Sequence, residues 1–287
     1  MPELPEVDVI KQSLLKTIVN KKINKVIIHN PNLRFRVNKN IEKILVNKKI
    51  ENVSRIAKYL IIHMNTNTFL IIHFGMSGTL HMIKNKKKLF KTNLSFYSQP
   101  ILSKKHNHLE IFFSNFKLVY NDPRRFGFVK TINNLKNLKK YFKRVGPEPY
   151  DKNFNKNYLI KNFKKRQKNI KNTLLDQKIV AGLGNIYVNE ILFYSKIYPL
   201  KKASDINEDF IKKIIKYSKQ VLNVAIKNGG SSIRDFQNTG GHKGTFQNEF
   251  KVYGKNGLPC SRKYCKGKIQ KVFVSSRSTF YCNICQK

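Results

Sequence analysis

The sequence predicts an α+β protein: an N-terminal helix and a β-sandwich, then a hinge, then a helical region that ends in a cysteine-paired β-hairpin. Three observations carry that prediction. Short β-rich runs separated by turn residues dominate the first half of the chain. Two prolines and a glycine at 146–149 forbid any continuing element, and amphipathic helical patterns follow them. All four cysteines are held back to positions 260, 265, 282 and 285, inside a second β-rich stretch.

The first helix begins near Pro5, a residue suited to the first helical position, and Glu6 and Asp8 favour the positive end of its dipole. Val7, Ile10, Leu14 and Ile18 give it one apolar face. Strands are expected at Lys25–His29, Tyr59–His63, Phe69–His73, Leu109–Phe113 and Lys117–Tyr120, and Phe128–Lys130 extends the set. Asn65-Thr66-Asn67 and Ser114-Asn115 supply turns between them, as a two-sheet sandwich needs. The segment from Lys84 to His106 is lysine-rich and weakly patterned, and reads as a long surface excursion. Val145–Tyr150 is the hinge. Beyond it, helices are expected over Asn157–Lys165, Ile170–Leu175, Asn185–Tyr194 and Glu208–Lys227. Lys271–Val274 and Ser278–Tyr281 then form two strands between the cysteine pairs. No internal repeat is present.

At 287 residues the chain can hold two domains, each with its own core. Its 57 lysines and arginines against 16 acidic residues give a formal charge of +41. That excess points to a polyanion, most simply nucleic acid, although a drift toward Lys, Asn and Ile in the coding gene contributes to it. A membrane surface fits less well, because no long apolar span or basic amphipathic anchor occurs. The N-terminus lacks the charged-then-apolar pattern of a signal peptide, so a soluble, cytoplasmic protein is expected. In that compartment paired cysteines read as metal ligands before disulfides.

The opening Met1-Pro2-Glu3-Leu4-Pro5-Glu6 admits two compatible readings. One is an ordinary helix start. In the other, removal of Met1 exposes the secondary amine of Pro2, which in its neutral form attacks an aldehyde-like carbon, and Glu3 supplies the proton that a leaving group needs. The cysteines are spaced C-x4-C, then 16 residues, then C-x2-C. Two close pairs around a hairpin-length segment match one tetrahedral, structural Zn2+ held by Cys260, Cys265, Cys282 and Cys285; free or disulfide-bonded pairs are the alternative. Arg277 falls at or near the hairpin tip, where it either reaches a phosphate or stays a solvated turn residue. Gly182-Leu183-Gly184 lets a phosphate approach the backbone, and Asn185 is expected to open the next helix with a capping side chain.

Asp122-Pro123-Arg124-Arg125-Phe126-Gly127 places two cations and an aromatic on one turn. Arginine pairs with phosphates or base edges, and phenylalanine can wedge into a base stack. His73-Phe74-Gly75-Met76-Ser77-Gly78 offers a second loop with Met76 at its apolar tip; either loop can also be plain surface. Lys58 stands at the start of an apolar strand, as a functional or a merely solvated cation. His106 and His108, two apart on a strand, face one side and lack a third metal ligand. A phosphate contact or a surface role suits either.

In their order and spacing these segments resemble the formamidopyrimidine-DNA glycosylase family of bacterial base-excision repair. The resemblance runs through Met1–Val7, Ala57–Leu60, His73–Gly78, Asp122–Gly127, Gly146–Pro149, Gly184–Tyr187 and Phe280–Gln286, essentially the whole chain. It implies a bifunctional enzyme that removes oxidised purines (8-oxoguanine, formamidopyrimidines) from double-stranded DNA through an N-terminal proline Schiff base, then cuts the strand by β,δ-elimination. By the same resemblance Pro2 is the nucleophile, Glu3 the acid, Lys58 the β-elimination lysine, and Arg277 the finger arginine of δ-elimination. His106, Arg124, Arg166 and Asn185 fall at DNA-contact positions, and Met76, Arg124 and Phe126 fill the void left by the flipped lesion. The implied layout is a catalytic β-sandwich domain at 1–144, a hinge at 145–156, a helix-two-turn-helix domain at 157–250 and a zinc finger at 251–287. A monomer in the bacterial cytoplasm, on nucleoid DNA, is expected.

The chain departs from the family pattern in places. The first cysteine pair encloses four residues where two are usual, and the extra two are expected to loop outward. Lys84–Lys105 is longer than usual, His242 sits in the lesion-recognition loop Gly240–Gly244 where a lysine is common, and Asp8 replaces a glutamate. Two alternatives remain. The sister family that excises oxidised pyrimidines typically begins Pro-Glu-Gly-Pro-Glu, which Leu4 contradicts. A non-catalytic, zinc-dependent DNA-binding protein has no need to keep Pro2, Glu3, Lys58 and Arg277 together.

Overall fold

The computed structural model describes residues 2–84, 103–231 and 244–287. Met1, most of the lysine-rich excursion and residues 240–243 with His242 lie outside the described residues. The chain forms two compact units, Met1–Lys143 with Asn228–Gln247, and Arg144–Lys227 with Asn248–Lys287.

Helix α1 (Leu4–Thr17) opens the first unit. Its apolar spacing buries Val7, Ile10 and Leu14, and Ile18 just beyond its end. Two antiparallel four-stranded sheets follow, in the orders β1-β6-β7-β5 and β2-β3-β4-β8. Their strands are β1 (Lys25–Ile28), β2 (Ile50–Ile56), β3 (Tyr59–Met64), β4 (Thr68–His73), β5 (Thr79–Lys84), β6 (Asn107–Phe112), β7 (Phe116–Asn121) and β8 (Phe128–Asn133). Leu60, Ile62, Leu70 and Ile72 of one sheet share a core with Val26, Leu80, Leu109, Ile111, Leu118 and Tyr120 of the other. This is the predicted sandwich. Each buried Leu or Ile contributes about 1.5–3 kcal/mol relative to exposure.

Two strands and two α-helices among the described residues go beyond the sequence reading: β2, β5, α2 (Ile41–Leu45) and α3 (Leu135–Phe142). In β2 the run Ile-Glu-Asn-Val-Ser-Arg-Ile lacks the dense β-branched signal, and its pairing with β3 supplies what propensity does not. Asparagine abundance proves structural. Asn20, Asn47, Asn67 and Asn134 take positive φ, at 66°, 65°, 54° and 62°. Side chains of Asn134, Asn155 and Asn169 cap three helices, accepting from Asn137 N (2.9 Å), Tyr158 N (3.0 Å) and Asn172 N (2.8 Å).

The second unit holds α4 (Lys156–Phe163), α5 (Ile170–Leu175), α6 (Asn185–Ser195) and α7 (Glu208–Lys227), then a hairpin of β9 (Ile269–Val274) and β10 (Arg277–Cys282). Helix α6 is buried on nearly every side, and α5, α7 and β10 pack on it. Ser275 and Ser276, at φ 48° and 60°, make the two-residue hairpin turn. No helix of the described residues is long and apolar enough to cross a membrane.

Candidate functional site

Pro2 and Glu3 are both buried at the start of α1. The Glu3 N–H donates to Glu6 Oε2 at 2.9 Å, while Glu6 Oε1 accepts from Ser231 N (2.8 Å) and Ser231 Oγ (3.0 Å). One carboxylate thus ties the residue after Pro2 to Ser231, 225 residues along the chain from Glu6. Asp8 extends the fixture: its Oδ1 accepts from Lys11 Nζ (2.8 Å) and Arg55 Nε (3.1 Å), and Arg55 Nη1 donates to the Ala57 carbonyl (2.8 Å). Burial pushes the Asp8 carboxyl up, but the Lys11 and Arg55 interactions outweigh it and hold it below its usual value. Asp8 is therefore a structural partner, not a passive replacement.

Arg55 leads to the turn between β2 and β3, where Ala57 has φ 53°. Lys58 follows it and is only 7% exposed, which removes the solvated-surface reading. His73 belongs here too, because the β3–β4 register pairs it with Tyr59. Its Nδ1 accepts from Gly75 N (3.1 Å), and its ring stacks on Phe128 at 5.4 Å and 14°. Burial, with the charges of Lys58 and Arg34, lowers its pKa to about 4. A neutral ring that accepts at Nδ1 carries its proton on Nε2, so it presents a donor suited to a phosphate oxygen. Only strand register, which a single sequence does not display, could have singled His73 out beyond its loop.

The two loops read from sequence carry exposed apolar side chains. Met76 and Phe126 are each 44% exposed, and the Arg124 guanidinium lies 4.7 Å from the Phe126 ring centre. The histidine pair behaves differently from the expectation of a shared face. His106 ends a 3-10 turn, Lys104–His106, and is half-buried. His108 is fully buried in β6, with Nε2 donating to the Asp122 carbonyl at 2.8 Å, so neither a surface role nor a phosphate contact suits it.

In the second unit, Asn185 corrects the sequence reading. Gly184 is the N-cap of α6, and Asn185 Nδ2 instead donates to the Ser278 carbonyl at 3.0 Å. A glycine in extended conformation leaves the first helical turn's amides to other partners. Arg166 is half-buried, with Nε on the Asn162 carbonyl (3.0 Å) and Nη1 3.8 Å from Asp176 Oδ2. Arg277 is exposed at the first residue of β10, beside the turn. Two buried residues with no sequence signal hold this region. Lys171 Nζ donates to the Ser278 carbonyl (3.1 Å) and Thr279 Oγ1 (2.6 Å). Glu190 accepts from the N–H groups of Lys251 (2.9 Å), Val252 (3.0 Å) and Tyr253 (2.8 Å).

The sulfur atoms of Cys260, Cys265, Cys282 and Cys285 all lie within 4.8 Å of one another. Cys260–Cys285 and Cys265–Cys282 are 3.8 and 3.7 Å apart, too far for disulfides. Four thiolates at about 2.3 Å from one tetrahedral ion sit about 3.8 Å apart, so the cluster can hold a metal ion. The enlarged loop does not simply turn outward. Arg262 reaches inward to the carbonyls of Phe193 (2.6 Å) and Tyr194 (3.1 Å) at the end of α6, while Tyr264 is 89% exposed.

Comparison with known proteins agrees along the whole chain. A family profile for the formamidopyrimidine-DNA glycosylase N-terminal domain matches residues 1–129, and one for the H2TH domain of that glycosylase matches 145–237. A formamidopyrimidine-DNA glycosylase of Ruthia magnifica subsp. Calyptogena magnifica is 39% identical over 287 residues, and one of Wolbachia pipientis subsp. Culex pipiens is also 39% identical; each alignment covers 100% of both chains. The solved complex of Lactococcus lactis Fpg with DNA containing an abasic site superposes over 100% of both chains, with TM-score 0.88 and 36% identity. A mutant of that protein bound to DNA containing Fapy-dG matches equally well, at TM-score 0.88 and 36% identity.

Proposed function

This chain belongs to the formamidopyrimidine-DNA glycosylase family and is a DNA repair glycosylase, and we propose that it runs its chemistry from Pro2. With Met1 removed, the neutral Pro2 amine attacks C1′ of the damaged nucleotide. The bond from C1′ to the oxidised purine breaks and the base leaves with a proton, for which Glu3 is the acid. The sugar ring opens to an iminium ion. Lys58 then assists loss of a C2′ proton as the 3′ phosphate departs, and Arg277 assists departure of the 5′ phosphate in δ-elimination. Hydrolysis of the iminium returns the free amine.

Reaching C1′ requires the nucleotide to leave the duplex, at a cost of a few kcal/mol. Met76 and Phe126 offset part of that by filling the vacated stack, with Arg124 facing the orphaned base. His106, Arg166 and Asn185 hold phosphates in register, and His73 joins them through its Nε2–H. The four cysteines hold one structural Zn2+, whose closed, all-thiolate shell fixes the hairpin under Arg277 and takes no part in bond making. We assign the catalytic sandwich to 1–144, the hinge to 145–156, the helix-two-turn-helix domain to 157–250, of which Asn228–Gln247 clusters with the sandwich, and the finger to 251–287. The enzyme works as a monomer on damaged duplex DNA in the bacterial cytoplasm.

The observation that carries this reading is the fixed N-terminus, in which Glu6 fastens the Glu3 backbone beside a buried Pro2. Borohydride trapping on an 8-oxoguanine duplex tests it. A covalent adduct is expected with Met1-processed protein, and Pro2→Gly or retained Met1 should suppress it. Tight binding without any adduct overturns the enzyme assignment, and preference for thymine glycol overturns the lesion class.

A further inference from the structure

Asp122 closes β7 with no exposed surface, and every polar atom it has is used. Oδ1 accepts from Ser77 Oγ (2.5 Å); Oδ2 accepts from Gly127 N (2.8 Å) and Tyr120 Oη (3.4 Å). Its backbone N–H donates to the His106 carbonyl (3.0 Å), and its carbonyl accepts from Arg125 N (3.2 Å) and His108 Nε2 (2.8 Å). Ser77 Oγ in turn accepts from Arg124 N (3.2 Å). One carboxylate therefore reaches the loop of Met76 and the loop of Arg124 and Phe126, while the His106 carbonyl is held by the Asp122 backbone, which a side-chain substitution leaves in place.

The backbones of those loops also touch. A Cβ added to Gly75, at φ 57°, would overlap the Phe126 and Gly127 backbone. One added to Gly127 would overlap the Tyr120 hydroxyl and the His73 carbonyl. Only glycine allows this approach, and the hydrogen bonds of Asp122 cross the same seam.

We propose that Asp122, acting through Ser77, is a positioning residue that joins the two loops into one rigid wedge, so that Met76, Arg124 and Phe126 enter the base stack as a unit. This rests on the reading above that the three fill the void left by the lesion. Asp122 is buried and contacts no DNA itself. Its effect is to order the loops before binding, so that this ordering is not charged against base extrusion.

Single-turnover excision of 8-oxoguanine from duplex DNA, set against cleavage of single-stranded abasic DNA, tests the proposal. The second substrate needs no wedge. Ser77→Ala removes the link with little risk to the fold, since Ser77 is only half-buried. It should slow duplex excision about tenfold, and Asp122→Asn about a hundredfold, with the abasic rate held within about twofold. Ser77→Thr keeps the hydroxyl and should restore most of the duplex rate. A 2-aminopurine beside the lesion should report slowed void filling in the same variants. Met76→Ala is the control for the underlying reading. If it slows duplex excision while folded Ser77→Ala and Asp122→Asn do not, the positioning role is overturned and the wedge stands. If Met76→Ala has no effect either, the wedge falls and the proposal with it. Equal slowing on both substrates makes Asp122 a general fold residue and also overturns the proposal.

Discussion

In the first unit the loops that present Met76, Arg124 and Phe126 are gathered by a buried carboxylate, Asp122. In the second, the hairpin that presents Arg277 rests on a buried ammonium, Lys171. The sign follows from which backbone groups each region leaves without a strand partner. The Asp122–Gly127 turn points N–H groups inward, at Gly127, and needs an acceptor. Strand β10 turns the Ser278 carbonyl inward and needs donors, which Lys171 and Asn185 supply. The second contrast is in what lies underneath. The loops of the first unit stand on a large two-sheet core, whereas the hairpin packs on a small cluster of Phe193, Val252, Ile269 and Phe280 with Cys260 and Cys282. A small core of that kind needs a staple, and the four cysteines are placed to hold one.

Metal removal should therefore separate the regions most widely. Structural zinc sites are worth on the order of 10 kcal/mol of folding free energy. Chelation is expected to abolish amide-exchange protection across 269–282 and to lower duplex affinity by about a hundredfold, at one finger phosphate contact and the order it imposes. Protection at 74–78 and 122–127 should remain. Loss of protection in both regions together breaks the contrast, and active protein without zinc removes the four-cysteine staple.

Acid should act in the reverse sense. His73 and His81 have folded pKa values of about 4, in both cases chiefly from burial, with Lys58 and Arg34 adding to it at His73. The unfolded chain, with histidine near 6.5, binds more protons than the folded one between these limits. Stability from these groups is complete above pH 6.5 and lost as pH falls toward 4, by up to about 3 kcal/mol per histidine. Glu190 in the second unit has the opposite sign. Its burial raises its pKa against the pull of the Tyr253, Lys251 and Val252 amides, so its contribution is greatest at low pH and declines as pH rises through its folded pKa. Exchange measured at pH 7 and pH 5.5, with zinc in excess so that the four thiolates stay metal-bound, should show opening that begins in the first unit. Opening that begins around Glu190 contradicts this ordering.

The sequence displayed the parts of each region whose signal is local. Helix α7 has its predicted bounds, the hairpin strands were found to within two residues, and the cysteine spacing named its own cluster. Pro2, Glu3, Lys58 and Arg277 could be picked out from the sequence, and the roles proposed for them come from the family resemblance. What stayed hidden depends on distant partners. Ser77 and Asp122 are 45 residues apart, Glu6 and Ser231 are 225 apart, and Lys171 and Thr279 are 108 apart. An isolated aspartate before a proline, or a lysine just after the run of Lys164, Lys165 and Lys168, looks like turn chemistry or surface charge until pairing brings its partner. The same limit misread Asn185, because the cap signal at a helix start is local and the Ser278 carbonyl is not.

The smallest expected effect tests the contrast most closely. Lys171→Met replaces the buried ammonium by an apolar side chain of similar length. Ser278 still receives a hydrogen bond from Asn185 Nδ2 at 3.0 Å, and Thr279 Oγ1 still donates to the Arg277 carbonyl at 3.2 Å. The Ser278 carbonyl is therefore not stripped, and the desolvation cost of the cation disappears with it. The loss should be about 1 kcal/mol, seen as a roughly fivefold fall in δ-elimination with base excision unchanged. Asp122→Asn has less reserve: with its amide oxygen kept on the Gly127 N–H, its NH2 faces Ser77, so the Ser77 hydroxyl proton loses its acceptor and the charge-assisted bonds are gone. If Lys171→Met proves as costly as Asp122→Asn, the ammonium is as indispensable as the carboxylate, and the redundancy read from Asn185 does not exist.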